Sequence, residues 1–260
     1  MKKIEKHAPG SFCWIELATT DQNAAKKFYS SLLGWAVDDN PMGPSEIYSI
    51  FKLQDGNVGA AYTMRPDQRA QGMPPNWMLY VASHNCDLTV KSAGELGGKI
   101  CAPPFDVADA GRMAVMQDPT GAIFSVWQAK RHIGITVVEA EGTLCWADLY
   151  TPDRQKAGKF YSALFGWKLE TGDEDLTHGY FHIKNGEQFI GGMPPPGYVD
   201  PKVPPHWLIY IQVSDCAKSA AKAKQLGAKV YMEPFKMEDV GTISIVADPQ
   251  GAVFAIFQPK

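Results

Sequence analysis

Glu16 and Asp148 each stand two residues after a tryptophan, in CWIEL and CWADL. Side chains alternate along a strand, so Trp14 shares a face with Glu16, and Trp146 with Asp148. If that face lines a cavity, burial beside an indole disfavours the charged carboxylate. Its pKa then rises, and the group becomes a general acid or base. The alternative is a polar strand residue that hydrogen-bonds backbone where two modules meet. Tyr80 and Tyr210 lie two residues after Met78 and Leu208 in WMLYV and WLIYI. These four residues either line a mostly apolar pocket with a few donors or fill the interior as core.

Other chemistry is sparse. The chain holds six histidines, and the one local pair is His178 with His182 in HGYFH. The flanking residues read as a strand, where four residues span ~13 Å. That exceeds the reach of one ion bound at ~2.1 Å, so a solvated strand face is expected. His206 in PPHW replaces Asn76 of PPNW and could distinguish a second ligand site, or make a structural loop hydrogen bond. DPTG (118–121) and DPQG (248–251) lack the glycines and the Lys-Ser/Thr of a phosphate loop and read as hairpin turns. The prolines of MPPPGYVDPKVPP read as a connection between modules.

These groups are placed by an internal duplication. Residues 12–35 lie over residues 144–167 with 13 identities in 24 positions and no gap. At an offset of 130 instead of 132, PPNWMLYV lies over PPHWLIYI, and residues 109–128 over 239–258. The change of offset puts a length difference in the Pro-containing loop near residues 60–74, where length changes are tolerated. Each half then repeats a strand, helix, strand, strand, strand order. Ala25, Phe28, Tyr29 and Leu32 fall at helical spacing after an N-cap at Thr20 or Asp21, and Gly34 ends the helix. The order restarts at Trp77. Two domains are expected, 1–134 and 135–260, with modules at about 12–64, 75–128, 144–194 and 205–258.

Of the 260 residues, 45% are hydrophobic and 20% charged, which is enough for a large core. A net charge of -3 offers no basic field for nucleic acid. Five cysteines without a CxxC pair point to reduced thiols, and the repeated pairs Cys13/Cys145 and Cys86/Cys216 to small buried side chains. No signal peptide or membrane span is apparent, so a cytoplasmic location is expected.

WxxLxTxDxxxAxxFYxxLxGW, PPxWxxY, and LGGK or LGAK leading to DPxGAxF resemble the glyoxalase, bleomycin-resistance and extradiol-dioxygenase (vicinal oxygen chelate) superfamily. The resemblance is closest to tandem-domain glyoxalase-like proteins of bacteria, and it covers nearly the whole chain twice. It implies an α+β fold of four βαβββ modules paired into two open U-shaped half-barrels, although either of two module pairings would satisfy it. It also implies divalent-metal ligands at three positions per half, which here are Trp14, Met78 and Ser125, and Trp146, Leu208 and Ala255. A one-residue slip at the second position gives Trp77 and Trp207. None of these is a His, Glu or Gln, so no metal or other cofactor is expected.

The expected function is binding of a small apolar or aromatic metabolite, with Trp14, Met78, Tyr80, Ser125, Trp146, His206, Leu208 and Tyr210 as contacts. Glu16 and Asp148 are the candidate acid-base residues. The competing reading is an enzyme of the same superfamily, either a metal-dependent lyase or dioxygenase or a metal-free hydroxylase-like activity. The expected partner is a small molecule, with no nucleic acid and no membrane, and the chain acts as a monomer or homodimer.

Overall fold

A computed structural model describes all residues except Ser45, residues 172–178 and Val199. His178 therefore lies outside the described residues.

The first repeat contains β2 (Phe12–Thr19), α1 (Gln22–Leu33), β3 (Ala36–Pro41), β4 (Ile47–Leu53) and β5 (Gly56–Thr63). After α2 (Pro66–Ala70) come β6 (Asn76–Ala82), α3 (Cys86–Glu95), β7 (Lys99–Val107), β8 (Gly111–Gln117) and β9 (Ile123–Ala129). The second repeat contains β11 (Leu144–Tyr150), α4 (Arg154–Phe165), β12 (Lys168–Thr171), β13 (Phe181–Asn185) and β14 (Gln188–Met193). It continues with β15 (His206–Gln212), α5 (Cys216–Gln225), β16 (Lys229–Met237), β17 (Gly241–Ala247) and β18 (Val253–Pro259). Outside both repeats, β1 (Lys2–Lys3) pairs antiparallel with β10 (Val137–Val138). The loop expected near residues 60–74 thus contains a short helix, which Pro66 starts at a position where its missing N–H costs nothing.

Two eight-stranded mixed sheets result, in the orders β3-β4-β5-β2-β6-β9-β8-β7 and β12-β13-β14-β11-β15-β18-β17-β16. Consecutive modules share a sheet through antiparallel β2–β6 and β11–β15 pairs, which decides between the two possible pairings. Each long helix begins where a side chain satisfies free backbone N–H groups. Asp21 accepts from Ala24 N, Asn85 from Leu88 N, Asp153 from Lys156 N and Asp215 from Lys218 N. Gly34 and Gly166 end α1 and α4 at φ 72° and 73°, a left-handed conformation that glycine adopts without cost.

Strand alternation gives every sheet two faces. Ile15, Leu17, Leu79, Val81, Phe124 and Val126 point to the helix side and join one buried core with Ile209, Ile211, Phe254 and Ile256 of the other repeat. The two sheets are therefore packed through their helical sides. Tyr29 on α1 donates to Asp248 at 3.0 Å, and Tyr161 on α4 donates to Asp118 at 3.0 Å. Trp35 Nε1 reaches Gly142 O and Trp167 Nε1 reaches Gly10 O. DPTG and DPQG are the turns expected, and each also presents its aspartate to the opposite repeat.

The other face of each sheet looks away from this core. In the second sheet it holds a separate cluster of Leu208, Tyr210, Ile243 and Ala255, packed by Trp146, Tyr150, Met232 and Phe257. Met232 on β16 joins this cluster through Ile243 and Ile245 of neighbouring β17. In the first sheet Tyr48 on β4 and Tyr80 on β6 each reach over the strand between, to Glu16 on β2 and Met113 on β8, so the side chains converge over a concave face.

Candidate functional site

Trp14, Tyr80 and Ser125 form a row across β2, β6 and β9, since Trp14 pairs with Tyr80 and Tyr80 with Ser125. Glu16 pairs with Met78 in the next row, on the same face. Glu16 Oε2 accepts from Tyr48 Oη at 2.7 Å and Oε1 from Tyr80 Oη at 2.9 Å. Trp14 Nε1 donates to Tyr48 Oη at 3.0 Å. The expected residues of the first half are thus brought onto one face, around a carboxyl that two phenols hold.

The second sheet repeats this arrangement. Trp146 pairs with Tyr210, Tyr210 with Ala255, and Asp148 with Leu208. Asp148 Oδ1 accepts from Tyr180 Oη and, at 2.9 Å, from Trp146 Nε1, while Oδ2 accepts from Tyr210 Oη at 2.6 Å. The polar partners of both acids are side chains of the concave face, and the backbone bonds of the alternative reading are not their main anchors.

One difference between the repeats explains another. Asp148 is one methylene shorter than Glu16, and opposite it on the neighbouring parallel strand stands Gly192, where the first repeat has Ala60. A Cβ on Gly192 would collide with the Tyr180 ring and hydroxyl. The missing methyl lets Tyr180 drop toward the sheet and reach the shorter acid.

Electrostatics follow from this packing. Burial pushes the Glu16 carboxyl up from its usual value, against the hydrogen bonds from Tyr48 and Tyr80. Burial also raises Asp148, opposed by Tyr180, Tyr210 and Trp146. Tyr48, Tyr80, Tyr180 and Tyr210 are all driven well above the ordinary phenol range, by burial first and then by the neighbouring carboxylate. At neutral pH the phenols are protonated and donate to the carboxyl of each cluster.

Histidines complete both faces. His206 opens β15, stacks on Tyr150 at 5.2 Å and bonds Pro204 O through Nδ1 at 2.9 Å, so it sits at the rim of the second face. His182 does not lie on a solvated face. It pairs with Gly192, the partner of Asp148, and packs half-buried beside Trp146, Tyr180 and Phe189, so burial lowers its pKa. In the first half His132 comes from the segment joining the repeats, which is tied to β2 by Ile135 N to Cys13 O at 2.7 Å. Its ring meets that of Trp14 at 4.5 Å. His132 Nε2 and Ser125 Oγ are buried without a partner.

Tyr48, Tyr180, Tyr150, His182 and His132 were missed as site residues from sequence. Tyr48 and Tyr180 carried a signal, because they recur at the same offset of 132 as Glu16 and Asp148. His132 has no counterpart in the second repeat and carried none.

Among the described residues no three His, Cys, Asp or Glu side chains come together. The positions where the family resemblance would place metal ligands hold indole, thioether and hydroxyl groups in the first half and indole and alkyl groups in the second, and the carboxyl beside them in each half is engaged by tyrosines. This donor set does not fit a divalent ion.

Residues 11–126 and 143–256 match the family described as the glyoxalase/bleomycin resistance protein/dioxygenase superfamily. A Mycobacterium tuberculosis protein, CFP32, which carries a provisional glyoxylase name, is 41% identical over 261 residues, covering 100% of this chain and 98% of its own length. The anthracycline biosynthesis protein DnrV of Streptomyces peucetius is 32% identical over 270 residues, covering 98% of this chain and 95% of that protein. Among solved structures, a Mn(II)-bound glyoxalase from Novosphingobium aromaticivorans superimposes with a TM-score of 0.66 at 16% identity, over 96% of this chain and 82% of that one. That likeness concerns the fold.

Proposed function

Because the chain belongs to the glyoxalase/bleomycin resistance protein/dioxygenase superfamily but carries a donor set unsuited to its metal chemistry, we propose that it binds a small apolar or aromatic metabolite without a metal ion. The observation that carries this reading is the carboxyl ringed by tyrosine hydroxyls and an indole on a concave sheet face. Aromatic and thioether side chains supply apolar area, and the few polar groups among them fix orientation, which is how small-molecule sites are usually built. A relative named for anthracycline biosynthesis, at 32% identity over nearly its full length, agrees with a planar aromatic ligand.

Native mass spectrometry of the purified protein, paired with elemental analysis, tests the proposal. A co-purified small organic molecule and no stoichiometric transition metal are expected. One divalent ion per chain would overturn it.

A second reading, metal-free acid-base catalysis by the same fold, is favoured by the raised pKa of Glu16. It predicts turnover that titrates with a carboxyl above its usual range and is lost in Glu16→Gln.

A further inference from the structure

The two concave faces descend from one sequence, but their carboxyls differ in how completely they are satisfied. Each Glu16 oxygen accepts one hydrogen bond, and the residue is partly exposed. A carboxylate has about four acceptor sites, so Glu16 keeps room for further donors. Asp148 accepts from three side chains, two of them on Oδ1, and is 4% exposed. In both repeats the indole N–H reaches the equivalent phenol, Trp14 to Tyr48 at 3.0 Å and Trp146 to Tyr180 at 2.9 Å, and in the second repeat it is shared with the acid, Asp148 Oδ1, at 2.9 Å.

The surroundings differ in both directions, since Trp14 and Trp127 are buried where Trp146 and Phe257 are partly exposed, while the thioether positions are the more open on the first face. Met78, beside Glu16, is partly exposed, while its counterpart Leu208 is buried at 3%. Met113 is likewise partly exposed, and its counterpart Ile243 is 6% exposed. Ser125 is fully buried with Oγ unpartnered, and the second repeat has Ala255 there. His132 adds a second unpartnered atom to the first face alone. Unmade hydrogen bonds are costly for buried groups, so a native fold keeps them where another molecule satisfies them. Among the described residues, no unpartnered buried side-chain atom lies on the second face.

We infer that the ligand site is the first face alone, that its occupant is an aromatic molecule donating an O–H or N–H to Glu16, and that the Asp148 cluster is a structural copy. This rests on the small-molecule reading above and assigns it to one half of the chain.

The test uses the full chain with 2-naphthol, an aromatic donor, and 2-methoxynaphthalene, its donor-free analogue. The indole N–H resonances of the seven tryptophans are followed by ¹⁵N NMR, with Trp14→Phe and Trp146→Phe giving the assignments. Expected is a saturable shift of Trp14 at one equivalent of 2-naphthol, with Trp146 unmoved, and about tenfold weaker binding of the methoxy analogue. Glu16→Gln should weaken 2-naphthol by a similar factor, and Asp148→Asn should keep the wild-type affinity. A shift of Trp146, two equivalents bound, or equal losses in Glu16→Gln and Asp148→Asn would overturn the assignment to one face while leaving the small-molecule reading intact. Failure of either probe to move Trp14 or Trp146 up to its solubility limit would count against that reading itself.

Discussion

Tyr29 Oη donates to Asp248 Oδ2 across the boundary between the repeats, and its own acceptor sites take the Trp77 Nε1 proton at 3.0 Å. The chain from indole to phenol to carboxylate is buried from end to end. Tyr161 repeats it with Asp118 and Trp207. The aspartates also hold their own turns, since Asp248 Oδ1 accepts from the backbone N–H groups of Gln250, Gly251 and Ala252. A hairpin turn and a helix of the opposite repeat are thereby locked by one side chain.

Removing either hydroxyl leaves a buried indole N–H and a buried carboxylate oxygen each short of a partner. Tyr29→Phe and Tyr161→Phe should each cost about 1–3 kcal/mol in urea unfolding. The two sites share no partner, so the double variant should lose close to the sum.

Compensation between acid length and the facing residue predicts a rescue. Gly192→Ala should push Tyr180 off Asp148 and destabilise the second face. Combining it with Asp148→Glu recreates the pair found in the first repeat. The double variant should be more stable than the sum of the single losses by about 0.5–3 kcal/mol, read from a double-mutant cycle.

Glu16 is protonated more readily in the folded protein than in the unfolded chain, whose carboxyl titrates near 4.5. A raised folded pKa means its contribution is fully present below that value and falls away as pH rises through the folded pKa. Glu16→Gln, which keeps a neutral group, should therefore gain on the wild type in stability from pH 4.5 upward. Urea midpoints taken across that range check the sign; a gain on lowering the pH would contradict it.

Thiol reactivity should separate one cysteine from four. Cys101 is exposed, while Cys13, Cys86 and Cys216 are buried. Burial raises Cys86 and Cys216 to about 11 and Cys145 to about 12, so thiolate is scarce at all three. Native protein should react rapidly with Ellman's reagent at one thiol, and Cys101→Ser should abolish that phase.

Residues 1–134 and 135–260 are proposed as the two domains, yet their apolar helical sides are each other's cover. Expressed alone, either half would expose Trp35 or Trp167 and leave Tyr29 or Tyr161 without its aspartate. Each half should be poorly soluble, and co-expression should recover a complex with the secondary structure of the intact chain by circular dichroism.

Much of the fold was legible because it is written locally. Apolar spacing, the Asp21 and Asn85 caps and the Gly34 stop depend on neighbours within a few residues, and duplication let each half confirm the other. The shared face of Trp14 and Glu16 followed from strand alternation. Legibility ended where a partner came from a distant strand. Tyr48 lies two strands away from Glu16 in the sheet order, and its hydroxyl reaches that acid across the intervening β5. Strand periodicity places His182 on one of two faces without saying which one is covered. The joining segment gave no hint that His132 would lie on Trp14.

By itself the sequence determined the duplication and the βαβββ order, because residue type and short-range spacing suffice for each. Tertiary structure alone decided that consecutive modules share a sheet, that the repeats pack helix side to helix side, and that Asp148 accepts from three side chains where Glu16 accepts from two. Those outcomes depend on contacts between residues far apart in the chain, as in Tyr29 with Asp248, 219 positions on, which no local pattern encodes.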